Sequence, residues 1–122
     1  MKILIVDDSK AMRTFLHFLV RELELEADEA EDGIKALEVL GRGGDFDLAL
    51  VDWDMPRMNG LELVKAVRAD ARFAGLKLMM VTTQNSMDHV AQAIRSGASD
   101  FLMKPVTKES LEEKLMVLGI LA

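Results

Sequence analysis

Cysteine is absent from this chain, which removes disulfides, thiolate catalysis and cysteine-ligated metals together. The same absence suits a reducing compartment. A basic excess is missing too: 15 Lys and Arg stand against 21 Asp and Glu, a net charge of −6. Phosphate backbones need a basic footprint, so direct nucleic-acid binding is not expected. No apolar run approaches the ~20 residues of a membrane span, and "MKILIV" passes at once into charged residues, unlike a signal peptide. Neither membrane insertion nor export is therefore expected; the expected location is the cytoplasm. Repeats, low-complexity tracts and long linkers are lacking, and 122 residues suit one domain over 1–122. The two histidines, His17 and His89, are not spaced as a metal pair and read as ordinary helix residues.

What is present is a core and a rhythm. Hydrophobic residues make up 50% of the chain, enough to fold without covalent help. Five short apolar runs alternate with helical patterns: "KILIV" (2–6), a weaker "LEADEA" (25–30), "DLALV" (47–51), "KLMMV" (77–81) and "DFLM" (100–103). Near-continuous hydrophobicity marks strands covered on both faces, hence a parallel sheet. Ser9 is placed as an N-cap, and Met12, Phe15, Leu16, Leu19, Val20 and Leu23 follow at three- and four-residue steps. Ile34, Leu37 and Leu40 begin the same period again, as do Leu61, Leu63, Val64 and Val67. Met87, Val90, Ala91 and Ile94 mark a fourth helix that Gly97 should stop, and Leu111, Leu115 and Leu118 a fifth. The prediction is an α/β fold: a doubly wound (βα)5 sandwich, flavodoxin-like, with right-handed crossovers and a parallel five-stranded sheet in order 2-1-3-4-5.

Ligands in such folds bind at the carboxyl edge of the strands, and the chemistry collects there. Strand one yields Asp7 and Asp8, strand three Asp52, strand four Thr82 and Thr83, and strand five Lys104-Pro105. Two like charges ~4 Å apart repel by roughly 1 kcal/mol in water and about 4 at an effective dielectric of 20. Either the acids take up protons or a divalent cation sits among them, and a few hard oxygen ligands favour Mg²⁺. Lys104 offsets charge from the other side, and the Thr82 hydroxyl can donate to a further oxygen. The set suits phosphoryl transfer to a carboxylate, with central Asp52 as nucleophile. Taken singly, each feature has a plainer explanation: a solvated acidic loop, a turn cap at Asp52, a helix cap at Thr82, or a helix entry at Lys104-Pro105, whose bond could be cis. Four such features at the ends of the right strands carry the stronger argument.

These residues, with "VDDS", "VDWDMPRMNG", "VTT", "GASDFLMKP" and the "EDG" at 31–33, give a sequence that resembles the receiver domain of bacterial two-component response regulators, of the stand-alone chemotaxis-regulator type. The likeness runs along essentially the whole chain. It implies that Asp52 accepts a phosphoryl group from a histidine of a sensor histidine kinase or a histidine phosphotransfer protein. It implies Mg²⁺ as cofactor, held by Asp8 and Asp52, by Asp7 through water, and by the backbone carbonyl of Asp54. Lys104 would pair with the phosphoryl group and the backbone of Trp53 and Thr83 would contact it. Thr82 would swing toward it, with Phe101 turning inward as a coupled aromatic switch. The surface of the fourth helix, fifth strand and fifth helix would then engage a downstream protein target.

Physics supports the switch. Phosphorylation adds about −1.5 to −2 charges and three acceptor oxygens, and reversing a 1:99 equilibrium takes about 5.5 kcal/mol of differential interaction. Phe101 has no hydroxyl, so its two states would differ by packing; it could equally be simple core. Three positions are expected to tune self-dephosphorylation: Thr83, bulkier than the residue often found there, Asp54, which adds negative charge, and Gln84, which could orient water.

Phe18 falls off the core stripe of the first helix, near Ala11 and His17, and suggests a docking surface for a helical phosphodonor; a scattered surface aromatic is the plainer alternative. Met79, Met80 and Met103 are expected in the core, whereas Met87 and Met116 lie near the output helices. The chain ends soon after the fifth helix, at "LGILA", so a stand-alone regulator, monomeric or weakly dimeric, is expected. It would catalyse only its own phosphorylation and dephosphorylation. Among rivals, "DWD" resembles the Asp-x-Asp of aspartyl-phosphate hydrolases, but those carry the nucleophile on the first strand and usually a cap domain. An inert pseudo-receiver interaction module conflicts with the intact acidic set. A flavodoxin-like electron carrier would place acids against the flavin phosphate.

Overall fold

The computed structural model describes residues 1–55, 57–83 and 87–122. Five strands and five helices alternate: β1 (Lys2–Val6), α1 (Lys10–Glu22), β2 (Glu26–Ala30), α2 (Gly33–Gly41), β3 (Leu48–Asp52), α3 (Gly60–Arg68), β4 (Lys77–Thr82), α4 (Met87–Ser96), β5 (Asp100–Met103) and α5 (Lys108–Val117). A 3-10 turn at Ala71–Phe73 precedes β4; three residues are too few to show a hydrophobic period. All strand pairs are parallel, in the order β2-β1-β3-β4-β5. The predicted topology holds, with strand ends shifted by a residue so that Asp52 and Thr82 close β3 and β4.

Alternation along each strand builds two cores. Leu4 and Val6, Ala49 and Val51, and Leu78 and Met80 face the layer of α2, α3 and α4, where Leu40, Val64 and Ala93 meet them. Ile3 and Ile5, Leu48 and Leu50, and Met79 and Val81 face α1 and α5, meeting Leu16, Val20, Leu111 and Leu115. Because both faces are covered, consecutive strand residues are all apolar. Each fully buried leucine is worth about 1.5–3 kcal/mol. Strand β2 is at the edge, with only Ala30 buried, which is why its run is weak.

Three residues expected in helix stripes lie outside: Phe15, Ile34 and Ile94 are 41%, 40% and 41% exposed. Leu16, Leu19 and Val20 already fill the seam under α1, as Ala36 and Leu40 do under α2, and Val90 and Ala93 under α4. Ala91 is exposed for the same reason. Met79 and Met80 are fully buried, whereas Met103 is only half-buried. Ser9 caps α1, its hydroxyl accepting from the Met12 amide at 3.2 Å, and Gly97 ends α4 with φ +120°.

The turn from β3 into α3 is the tightest passage. The Gly60 amide donates to the Trp53 carbonyl at 3.0 Å. A Cβ on Gly60 would lie 2.8 Å from the Asp52 carbonyl oxygen and 3.0 Å from Trp53 Cα, backbone atoms with little room to yield. Gly60→Ala is therefore expected to cost about 1–3 kcal/mol in urea unfolding. Gly41→Ala, whose Cβ meets nothing within 4 Å, should be neutral or stabilising by up to about 1 kcal/mol. Equal effects at the two glycines would contradict this.

Candidate functional site

The carboxyl end of β1 delivers Asp7 and Asp8 to a common rim, and those of β3, β4 and β5 deliver Asp52, Thr82 and Lys104. Beyond β1, the Asp7 amide still pairs with the Ala30 carbonyl at 3.1 Å, so the parallel ladder itself aims this residue. The Ser9 amide donates to Asp7 Oδ1 at 2.9 Å, and Arg13 donates to the Asp7 carbonyl at 2.7 Å. Asp52, 5% exposed, ends β3 in register with Val81. Carboxylate oxygens of Asp7, Asp8 and Asp52 lie within 4.8 Å of one another. Lys104 Nζ stands 3.2 Å from Asp52 Oδ1, and its backbone is fixed by its own N–H, which donates a hydrogen bond to the Thr82 carbonyl at 2.7 Å. The Lys104-Pro105 bond is cis.

Strand parity sorts these groups. Asp52 shares the parity of Leu48 and Leu50, Asp7 that of Ile3 and Ile5, and Lys104 that of Leu102, all on the α1–α5 side. Thr82 shares the parity of Met80, on the α2–α4 side, and Phe101 packs against that same core. Asp7, Asp52 and Lys104 thus belong to one side of the sheet and the expected switch pair to the other.

Burial is the largest influence on Asp52 and pushes its pKa up to about 6; neighbouring Asp7 adds to this, and Lys104 opposes it. Burial also raises Asp7, against the Ser9 amide and Lys104. Asp7 Oδ2 is buried and lacks a hydrogen-bond partner. A crowded set of hard oxygen donors with one buried, uncommitted lone-pair site fits a small divalent cation.

The remaining predicted residues are distributed around this centre. Asp54 and Thr83 are exposed beside Asp52 and Thr82, and Trp53 is buried. Gln84 lies outside the described residues. Phe101 is half-buried, with Lys114 Nζ 4.9 Å from its ring centre and 3.0 Å from Asp100 Oδ1. Ala11 and Phe18 are exposed, the latter at 60%. They stand on the exposed face of α1, and Phe15, 41% exposed, joins them at helical spacing.

Sequence reasoning missed three contributors. His89 stacks on Trp53, with ring centres 4.7 Å apart and planes 7° apart, and is no ordinary helix residue. Its partner is 36 positions away, beyond any local pattern. Asp32 and Arg57 form an ion pair between α2 and the β3–α3 loop. An Asp before the first helical residue is a cap signal that the sequence reading did not use, and the partner at position 57 leaves no such signal. A cavity of about 350 Å³ beside Phe46, Phe73 and Leu76 opens at the other end of the sheet, a strand's length from the acids.

Asp52 sets a testable pH dependence. Its folded pKa, about 6, exceeds the ordinary 3.8, so the unfolded chain releases this proton first as pH rises. The resulting stabilisation is complete below about 3.8, fades through 6, and is absent at neutral pH. Asp32 and Asp70, whose pKa values are lowered, slope the other way, so comparison with a variant isolates Asp52. In chelator, Asp52→Asn is expected to be more stable than wild type at pH 7 by about 1 kcal/mol after screening, the gap closing by pH 4. Calorimetric melting across this range checks it; a pH-independent gap would contradict the assignment.

The model of the response regulator receiver domain matches residues 3–116. Chemotaxis protein CheY1 of Helicobacter pylori strain 26695 is 42% identical over 121 residues, 98% of each chain. The chemotaxis protein CheY homolog of Campylobacter jejuni strain 81-176 is 40% identical over 116 residues, 94% of this chain and 89% of the relative. Among solved structures, Vibrio cholerae chemotaxis protein CheY4 aligns with a TM-score of 0.89 and 32% identity, covering 96% of this chain and 97% of the other. With the family matched over nearly the full length and the fold shared with its members, the chain belongs to the response regulator receiver domains of two-component phosphorelay signalling, and among them it is similar to the chemotaxis regulators.

Proposed function

We propose that this domain receives a phosphoryl group on Asp52 from a phosphohistidine of a sensor histidine kinase or histidine phosphotransfer protein, in a Mg²⁺-dependent step. The observation that carries this reading is the 3.2 Å contact of Lys104 Nζ with Asp52 Oδ1 beside a cluster of three carboxylates. An Asp52 oxygen attacks phosphorus, the P–N bond breaks, and the leaving imidazole nitrogen takes up a proton. With a pKa near 6, Asp52 is mostly ionised at pH 7, as a nucleophile must be. Asp7, Asp8 and Asp52, with the Asp54 carbonyl, would hold Mg²⁺, which supplies charge neutralisation for the transferring group. Lys104 holds Asp52 in aim and pairs with the phosphoryl oxygens, the backbone of Trp53 and Thr83 contacts them, and the Thr82 hydroxyl donates to another. Asp54, Thr83 and Gln84 tune hydrolysis of the acyl phosphate. The domain catalyses only its own phosphorylation and dephosphorylation, as a cytoplasmic monomer or weak dimer that does not bind nucleic acid directly.

Thr82 and Phe101 carry the response to the α4–β5–α5 surface, where Ile94, Met116 and Val117 are exposed and can meet a protein target. On α1, Ala11, Phe15 and Phe18 line one exposed face at i, i+4 and i+7. That stripe suits the apolar face of a helical phosphodonor.

Acid-labile, hydroxylamine-sensitive label should appear stoichiometrically on wild type with a phosphodonor and Mg²⁺, and be absent from Asp52→Asn. Catalytic turnover of a small phosphomonoester would favour the hydrolase instead, and failure to respond to beryllofluoride with Mg²⁺ the inert module. Phe18→Glu should slow transfer from the cognate donor about tenfold while leaving labelling by acetyl phosphate unchanged. Equal loss with both donors would remove α1 from the donor interface.

A further inference from the structure

We propose that Asp32 and Arg57 are positioning residues for the divalent-cation site: their ion pair pins the β3–α3 loop and thereby sets cation affinity without ligating the cation. The inference rests on the reading of Asp7, Asp8, Asp52 and the Asp54 carbonyl as the cation's ligands.

The loop runs from Asp52 to Gly60 and is held at both ends. At one end, Trp53 accepts the Gly60 amide and stacks on His89. At the other, Arg57 turns back to α2, its Nε 3.1 Å from Asp32 Oδ2 and its NH2 bonded to the same oxygen. Met58 follows into the space that a Cβ on Gly33 would occupy, 2.7 Å from Met58 Cγ. Two successive loop residues therefore lock onto two successive residues at the start of α2. Asp54 lies between the anchored residues Trp53 and Arg57, so the direction of its carbonyl follows the loop that carries it.

Both oxygens of Asp32 are committed. Oδ1 accepts the Lys35 amide at 2.8 Å and caps α2, while Oδ2 takes Arg57. The residue is 3% exposed, and the Arg57 hydrogen bond first, with the Lys35 amide second, holds its carboxyl below the usual range. Arg57 itself is 58% exposed, so solvent screens part of the pair, and what the pair adds is a fixed direction for the loop. Arg57 also sits at φ +64°, a conformation that non-glycine residues seldom adopt without local support. A helix cap needs neither the arginine nor the left-handed backbone; a loop held at a fixed offset from the acids uses both.

The test is Mg²⁺ titration of the full chain, read by fluorescence of Trp53, the single tryptophan, and by calorimetry. Arg57→Gln and Asp32→Asn should each weaken Mg²⁺ binding about 3- to 10-fold, at or below the usual range for supporting groups of metal ligands. Asn still serves as an N-cap, so Asp32→Asn removes the charge pair and keeps the cap. The double variant should bind no more weakly than the weaker single variant, because both remove one interaction. Arg57→Lys should recover part of the loss. Leu40→Val in α2 should lower the melting temperature with unchanged affinity, separating stability from positioning. Lowered melting with unchanged affinity in Arg57→Gln and Asp32→Asn, or additive losses in the double variant, would overturn the proposal. A wild type that binds no Mg²⁺ would overturn the cation reading itself, a different result from either.

Discussion

Three carboxylates kept within 4.8 Å of one another, two of them all but excluded from water, are the constraint on which this molecule is organised. Left to themselves they would separate or protonate, and the pKa of Asp52 is raised first by its burial and then by Asp7 beside it. What keeps them together comes from elsewhere: strands buried on both faces fix where each chain segment ends, and the acids sit at those ends. Lys104 relieves only part of the repulsion, being one ammonium against three acids. The site is therefore held in a state that gains from any added positive charge, and the unpartnered Asp7 Oδ2 marks where such charge has an acceptor waiting.

The sheet also sorts into different layers the residues to which the proposed function gives different tasks. Asp7, Asp52 and Lys104 belong to the α1–α5 side, whereas Thr82 and Phe101 belong to the α2–α4 side. A pull on Thr82 therefore need not disturb the carboxylates, and the ring at 101 can shift within a different core from the one that supports Asp52. Lys114 over the Phe101 ring, itself oriented by Asp100, gives that ring a polar neighbour despite its lack of a hydroxyl. Its environment is more than packing.

Much of this was legible beforehand, for identifiable reasons. Periods of two and of three to four residues specify strands and helices, and the order of five βα units leaves few topologies, so the sheet and the places of Asp7, Asp8, Asp52, Thr82 and Lys104 could be written down from the chain. Phe15, Ile34 and Ile94 were misassigned because a hydrophobic stripe on a helix can be wider than the seam the sheet offers; periodicity reports the stripe and not the seam. The Trp53–His89 stack and the Asp32–Arg57 pair were invisible for another reason. Each joins elements far apart in sequence through one specific pair, and neither leaves a repeat or spacing that a single chain could display.

Parity has a further consequence for how such a domain can vary. Loops on the far rim, such as the glycine-rich turn before β3, can lengthen or shorten with little penalty. A single residue gained or lost inside β3 would instead exchange every side chain between the two layers, burying the wrong set and swinging the carboxylate at its tip to the opposite side of the sheet. Core composition and the aim of Asp52 are thus read from one count of residues. Divergence can rewrite the letters of that strand more freely than it can alter its length.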